Sequence, residues 1–251
     1  MTRIRVESLS VGYDRHPAVV SLSGVFEPAS LTAVVGPNGS GKSTLLKALA
    51  GHCKPLAGRI DLGGLKPSEI AYLPQAHGLD LKFPLTLEDL VSFGFIGQRG
   101  LFGGFAKVDR ERLHGLMAQV GLEGLERRPI GSVSGGQLQR ALFARVMAQD
   151  AKLVLLDEPF NGIDARAAED LAQLMARWPE QGRTVIAVLH DLDLVRRLCP
   201  GSLVMARQAV AWGPTDQAIS PEQLTRARKL AESWNVSDEP PADVVQHTEH
   251  V

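Results

Sequence analysis

The chain has 251 residues, 44% of them hydrophobic and 22% charged, with a formal net charge of −1. That length and balance fit one large globular domain, or one domain with an inserted subdomain, around a substantial core. The near-neutral charge argues against a broad nucleic-acid footprint or a polybasic membrane anchor, and no run approaches the ~18 apolar residues that a bilayer span requires.

The opening residues, Met-Thr-Arg-Ile-Arg-Val, lead into no apolar stretch, so no secretory signal is expected. Residues 3–35 alternate as strands do, with turn signals at 12–14 and at 27–30. Leu31–Val35 is short, apolar and β-branched, and reads as a buried strand. Residues 44–51 read as a helix, with Leu45, Leu46 and Leu49 at helical spacing and Gly51 as its stop. Further short strands are expected at 58–62 and 70–73. From about 84 to 150 helical patterns dominate, interrupted by a glycine-rich stretch at 97–104 that reads as a loop. Beyond 150 strand and helix alternate: strand 153–156, helix 165–177, strand 184–189, helix 191–198, strand 203–206. Alternation of this kind predicts a parallel sheet with helical cover.

Residues 236–251 hold two prolines and four acidic groups but no Lys or Arg, and read as a disordered tail. The tail histidines His247 and His250 form no complete metal site, because no cysteine stands nearby. Cys53 and Cys199, the two cysteines, are far apart and fit a reducing compartment.

Between the strand at 31–35 and the helix after it stands Gly36-Pro37-Asn38-Gly39-Ser40-Gly41-Lys42-Ser43-Thr44, the pattern G-x-x-x-x-G-K-[ST]. Strand, glycine-rich loop and helix are the context a phosphate-binding loop requires. The glycines let backbone N–H groups approach phosphate oxygens, and the helix N-terminus adds a positive dipole end. Lys42 is expected to reach the β- and γ-phosphates, and Ser43 to ligate Mg²⁺.

Three further groups carry chemistry. The strand at 153–156 ends in Asp157 and Glu158, where α/β folds place ligands. Asp157 is the expected Mg²⁺ partner, and Glu158 the group that polarises the attacking water. The strand at 184–189 ends in His190, which can hydrogen-bond a γ-phosphate or that water. Ser134-Gly135-Gly136-Gln137 opens an amphipathic helix, and is a second candidate anion site. Two anion sites in one chain make sense if two copies face each other, each loop completing the other's site in an isologous dimer.

These motifs resemble those of the ABC transporter ATPase subunits, and the likeness covers nearly the whole chain. Gly36–Thr44 resembles Walker A; 153–157 with Glu158 resembles Walker B and the catalytic glutamate. Val133 through Gln137 resembles the LSGGQ signature, with Val in place of the first Leu. Gln75 resembles the Q-loop glutamine that links Mg²⁺ to the membrane subunit, and His190 the switch histidine. Asn161 through Asp164 resembles the D-loop, departing from the common S-A-L-D. Tyr13 resembles the aromatic residue that stacks on adenine. The likeness implies a RecA-like parallel-sheet core with an antiparallel β subdomain and an inserted helical subdomain at about 84–150, the whole domain spanning 1–235. It also implies ATP and Mg²⁺, a homodimer, and permease subunits that take up part of the helical segment. The location implied is peripheral, on the cytoplasmic face of the plasma membrane.

The segment 82–91, followed by Gly94, and the run 157–164 are similar to those of zinc and manganese importers. Zinc is the first expectation and manganese the second, with a periplasmic or lipid-anchored metal-binding protein as the indirect partner. The ATPase of a ferric-siderophore or haem importer is the alternative. A nucleic-acid-handling relative is the remote one, because Lys42 and Ser134 stand only 92 positions apart (134 − 42) with no heptad run or CxxC motif between them.

Overall fold

The computed structural model describes residues 3–13, 16–75, 80–99 and 107–236. Two sheets organise them. A three-stranded antiparallel sheet has the order β2-β1-β4, from β1 (Ile4–Tyr13), β2 (His16–Phe26) and β4 (Ala57–Asp61). The larger sheet has the order β5-β6-β7-β3-β8-β9. Its strands are β3 (Leu31–Val35), β5 (Ile70–Leu73), β6 (Leu153–Asp157), β7 (Thr184–Val188), β8 (Gly201–Ala206) and β9 (Gln208–Pro214). All neighbours are parallel except β8 and β9.

The three central strands β3, β6 and β7 are buried at every position. Each is nearly continuous in apolar residues, as a parallel strand covered on both faces must be. Alternate side chains therefore enter different cores. Val154, Leu156, Val185 and Ala187 join one cluster; Leu153, Leu155, Ile186 and Val188 join the other. The second cluster is closed by the antiparallel sheet, through Ile4, Val6, Leu22 and Phe26, and by α1 (Lys42–Leu49). The first is closed by helices: α2 (Leu87–Ser92), α4 (Lys107–Gln119), α5 (Gly135–Gln149) and α6 (Ala165–Ala176). Phe143 of α5 stacks on Trp178, just past the end of α6, at 5.2 Å between centroids.

Several boundaries differ from the sequence reading. Helix α1 begins at Lys42, two residues before the expected 44, because Gly41 ends the loop with φ 91°. Lys42 and Ser43 thus lie in the first helical turn. The glycine-rich stretch is not all loop: α3 (Ile96–Arg99) takes up its start, and residues 100–106 lie outside the described ones. Val236, read as tail, is the last residue of α9 (Pro221–Val236). The rest of the tail, His247 and His250 included, lies outside the described residues. α7 (Leu192–Leu198) starts one residue after its cap Asp191. Strand β9, α8 (Thr215–Ala218) and α9 have no counterpart among the expected elements.

Candidate nucleotide site

Val34, Val188 and Asp157 stand in register across three neighbouring strands. The segments that follow β3, β6 and β7 therefore leave one edge of the sheet side by side. Residues 38–44, Ala18, Gln75 and Glu158 line a cleft of about 400 Å³ there.

The phosphate loop is held from both sides. A Cβ on Gly41 would lie 2.3 Å from the Ala18 carbonyl oxygen, so only glycine lets the loop pack this closely on β2. On the other side the Arg207 N–H donates to the Ser40 carbonyl at 3.0 Å. Lys42 is 6% exposed and donates to the carbonyls of Gly36 (2.8 Å) and Pro37 (2.7 Å). Burial pulls its ammonium pKa below the ordinary lysine value, against the opposing pull of Glu158 and Asp157.

Asp157 is 1% exposed and accepts from the Ser43 hydroxyl at 3.0 Å. Burial raises its pKa above the usual carboxylate range; the Ser43 hydrogen bond works in the other direction. The Tyr72 hydroxyl approaches the second carboxylate oxygen at 3.5 Å, and burial followed by the Asp157 charge pushes that phenol well up. Ser43 and Asp157 thus present adjacent hard oxygen donors, the kind of set that suits Mg²⁺.

Glu158 has φ 52°, a left-handed state uncommon for a residue with a side chain. Its Oε1 lies 2.7 Å from His190 Nε2, and Asn161 Nδ2 donates to Oε2 at 3.4 Å. The Asn161 N–H returns to the Glu158 carbonyl at 3.2 Å. His190 keeps 49% of its side-chain surface and Glu158 18%, so the pair remains open to water.

The second motif has a different character. Ser134 caps α5 in a reciprocal box: its hydroxyl accepts from the Gln137 N–H at 3.2 Å, and the Gln137 side-chain oxygen accepts from the Ser134 N–H at 2.9 Å. Ser134 and Gly135 are exposed, Gly136 and Gln137 half-buried. No residue of 134–137 is among those lining the cleft. Asp164 caps α6, accepting from the Ala167 N–H at 3.0 Å. Tyr13 ends β1 with 53% exposure, the Lys47 ammonium 5.9 Å from its ring centre.

Residues 38–44, Gln75 and Glu158 share the cleft, then, with Asp157 joined through Ser43 and His190 through Glu158. Tyr13, Asp164 and 134–137 lie apart from its lining within one chain. Sequence reasoning missed Ala18 and Tyr72, and named Asn161 only as part of the D-loop, not as a partner of Glu158. Asn161 had a visible signal, standing three residues after Glu158. Tyr72 and Ala18 had none, since their roles depend on the β5–β6 pairing and on how β2 lies against the loop.

The sequence pattern of the ABC transporter family matches residues 19–161. The chain belongs to the ABC transporter family. It is 35% identical over 228 residues to the manganese transport system ATP-binding protein MntA of Synechocystis, covering 88% of each chain. It is 33% identical over 226 residues to the chelated iron transport system membrane protein YfeB of Yersinia pestis, covering 87% of this chain and 76% of that one. Among solved structures, an ABC transporter of metal-chelate type in an inward-facing conformation superposes with a TM-score of 0.78 at 27% identity, over 91% of this chain and 90% of that one. Fold and family agree: the domain is an ATP-binding, ATP-hydrolysing one whose relatives couple hydrolysis to transport. Among the described residues no helix is long and apolar enough to cross a membrane.

Proposed function

We propose that the chain is the ATP-hydrolysing subunit of a metal importer and works as a dimer in which each ATP lies between one protomer's phosphate loop and the other's Ser134–Gln137. The observation that carries the dimer is the separation of the two motifs: one is built into the cleft, while the other caps its own helix at the surface. In this reading the Lys42 ammonium exchanges the Gly36 and Pro37 carbonyls for phosphate oxygens. The Ser43 hydroxyl and Asp157, with Gln75, would hold Mg²⁺, which would supply charge neutralisation at the phosphates. Glu158 accepts a proton from the attacking water, and His190, already hydrogen-bonded to Glu158, orients that exchange. Tyr13 offers a ring for adenine to stack on. Asp164, at the N-terminus of α6, serves the contact between the two sites.

Membrane subunits complete the transporter, with this chain peripheral on the cytoplasmic face and a metal-binding protein outside. Leu81, Phe83, Phe93 and Ile96, large apolar side chains left exposed between β5 and α4, fit a permease contact there. On the transported ion, two of the relatives reported above carry manganese and chelated iron in their names, and none of the three carries zinc. This moves manganese ahead of zinc, the first expectation from the sequence. Chelated iron is the second reading, favoured by YfeB. Uptake by a deletion strain decides among the ions. Loss of manganese accumulation, with zinc and iron uptake kept, is the expected result; unchanged uptake of all three would reject metal import.

A further inference from the structure

Gln139 lies one turn into α5, past the signature, and is 2% exposed. Its Nε2 donates to the carbonyl of Pro159 at 3.1 Å. Its Oε1 is buried with no hydrogen-bond partner among the described residues. For stability this is a poor arrangement. An unpaired buried amide oxygen carries a desolvation cost that a leucine at this position would not. What the amide provides is a single hydrogen bond, and that bond ends on the residue next to Glu158.

The backbone around that bond is under constraint. Glu158 has φ 52° and is followed by proline. Such a conformation persists only where its surroundings over-determine it. One restraint is the turn to Asn161, 3.2 Å from the Glu158 carbonyl to the Asn161 N–H. A second, on the backbone that follows, is Gln139. The helix that carries it lies hard against the same segment: a Cβ on Gly136 would sit 2.9 Å from the Gly162 carbonyl oxygen. The first turns of α5 and residues 159–162 are therefore packed backbone to backbone and tied by one buried side chain.

We infer that Gln139 is a positioning residue for ATP hydrolysis: its hydrogen bond to the Pro159 carbonyl couples the helix bearing Ser134–Gln137 to the backbone that aims Glu158. A nucleotide engaged by Ser134 would thereby act on the Glu158 of the same chain, which serves the other nucleotide. The inference rests on the reading of Glu158 as the base.

Gln139→Leu removes the donor and the unpaired oxygen together. It should lower kcat by about tenfold to a hundredfold, the effect of a small misplacement of a catalytic group. The KM for ATP should stay within about twofold and the melting temperature should not fall. Gln139→Glu supplies a conditional donor. Burial favours its protonated form, whose O–H can donate to the Pro159 carbonyl. Its activity relative to wild type should be highest at low pH and decline as pH rises, whereas Gln139→Leu keeps a constant ratio. A wild-type kcat in Gln139→Leu, or a pH-independent ratio in Gln139→Glu, overturns the inference. So does a loss of kcat that tracks a fall in melting temperature. Glu158→Gln is assayed in parallel: if it turns over normally, the base assignment itself has failed; if it is inactive while Gln139→Leu is not, only the role of Gln139 has.

Discussion

The phosphate loop and the signature turn are both helix N-termini, yet they are finished differently. Around the loop three residues are tied to their surroundings: Lys42 on the Gly36 and Pro37 carbonyls, Ser43 on Asp157, and the Ser40 carbonyl on the Arg207 N–H. At the signature, the Ser134 and Gln137 side chains bond each other's backbone N–H in a cap, with Ser134 exposed and Gln137 half-buried. A buried arrangement that carries its own desolvation cost is preorganised to receive charge. A capped and exposed turn is stable alone and gains little until something docks on it. In the proposed dimer, one chain contributes the phosphate-loop half of one site and the signature half of another.

The contrast can be broken most severely at the base. Glu158→Gln should reduce turnover by about 10²–10⁴-fold, the usual worth of a positioned general base, while nucleotide binding persists. Hydrolysis rate and bound nucleotide, measured on the same preparation, check both halves of that statement.

Asp157→Asn should separate stability from function. The carboxylate is buried and its pKa raised. Between the ordinary aspartate pKa and the raised one, the folded chain therefore holds a proton that the unfolded chain has already released. Stability associated with it is fully present below the ordinary aspartate pKa and is lost as pH rises through the elevated folded value. Asparagine removes that dependence. At neutral pH without nucleotide the variant should melt about 2–4 °C higher, equivalent to ~1 kcal/mol, and should lose the Mg²⁺-dependent part of its ATP affinity. Calorimetry across pH and a titration with and without Mg²⁺ measure the two effects.

The smallest effect belongs to the signature side. Ser134→Ala removes the α5 cap and should cost about 1 kcal/mol, seen as a lower melting point, with no change in the pH dependence of stability. A pH-dependent change would mean that the two regions are not independent in the single chain.

Much of this was legible in the sequence, for a physical reason. Strands β3, β6 and β7 are buried on both faces, so their apolar runs are unbroken and their ends are marked by the first polar residues, which are the site residues Asp157 and His190. β9 was missed because most of it is half-buried and its Gln-Ala-Val-Ala-Trp-Gly-Pro sequence follows no clean period. α9 was missed too, although Ser220-Pro221-Glu222-Gln223 carries a helix-start signal; its scattered apolar positions gain their meaning only against β8. Lys42 shows the limit most clearly. Its motif identifies a phosphate ligand, but that it first satisfies the loop's own carbonyls is a tertiary fact. Gln139 looks, in sequence, like one more polar residue on a helix; only the packing of α5 on 159–162 gives it a partner.

The central claim, that the phosphate loop is half a site, is tested most directly by dimers mixing wild-type protomers with protomers carrying Ser134→Arg. The arginine should block the site formed with the wild-type phosphate loop and leave its own loop intact. The measurement is which protomer's site still binds nucleotide when ATP is trapped, read with a label on one protomer. The account predicts that occupancy is lost at the wild-type protomer's loop and kept at the mutant's. Loss at the mutant's own loop, or full occupancy of both, would contradict it.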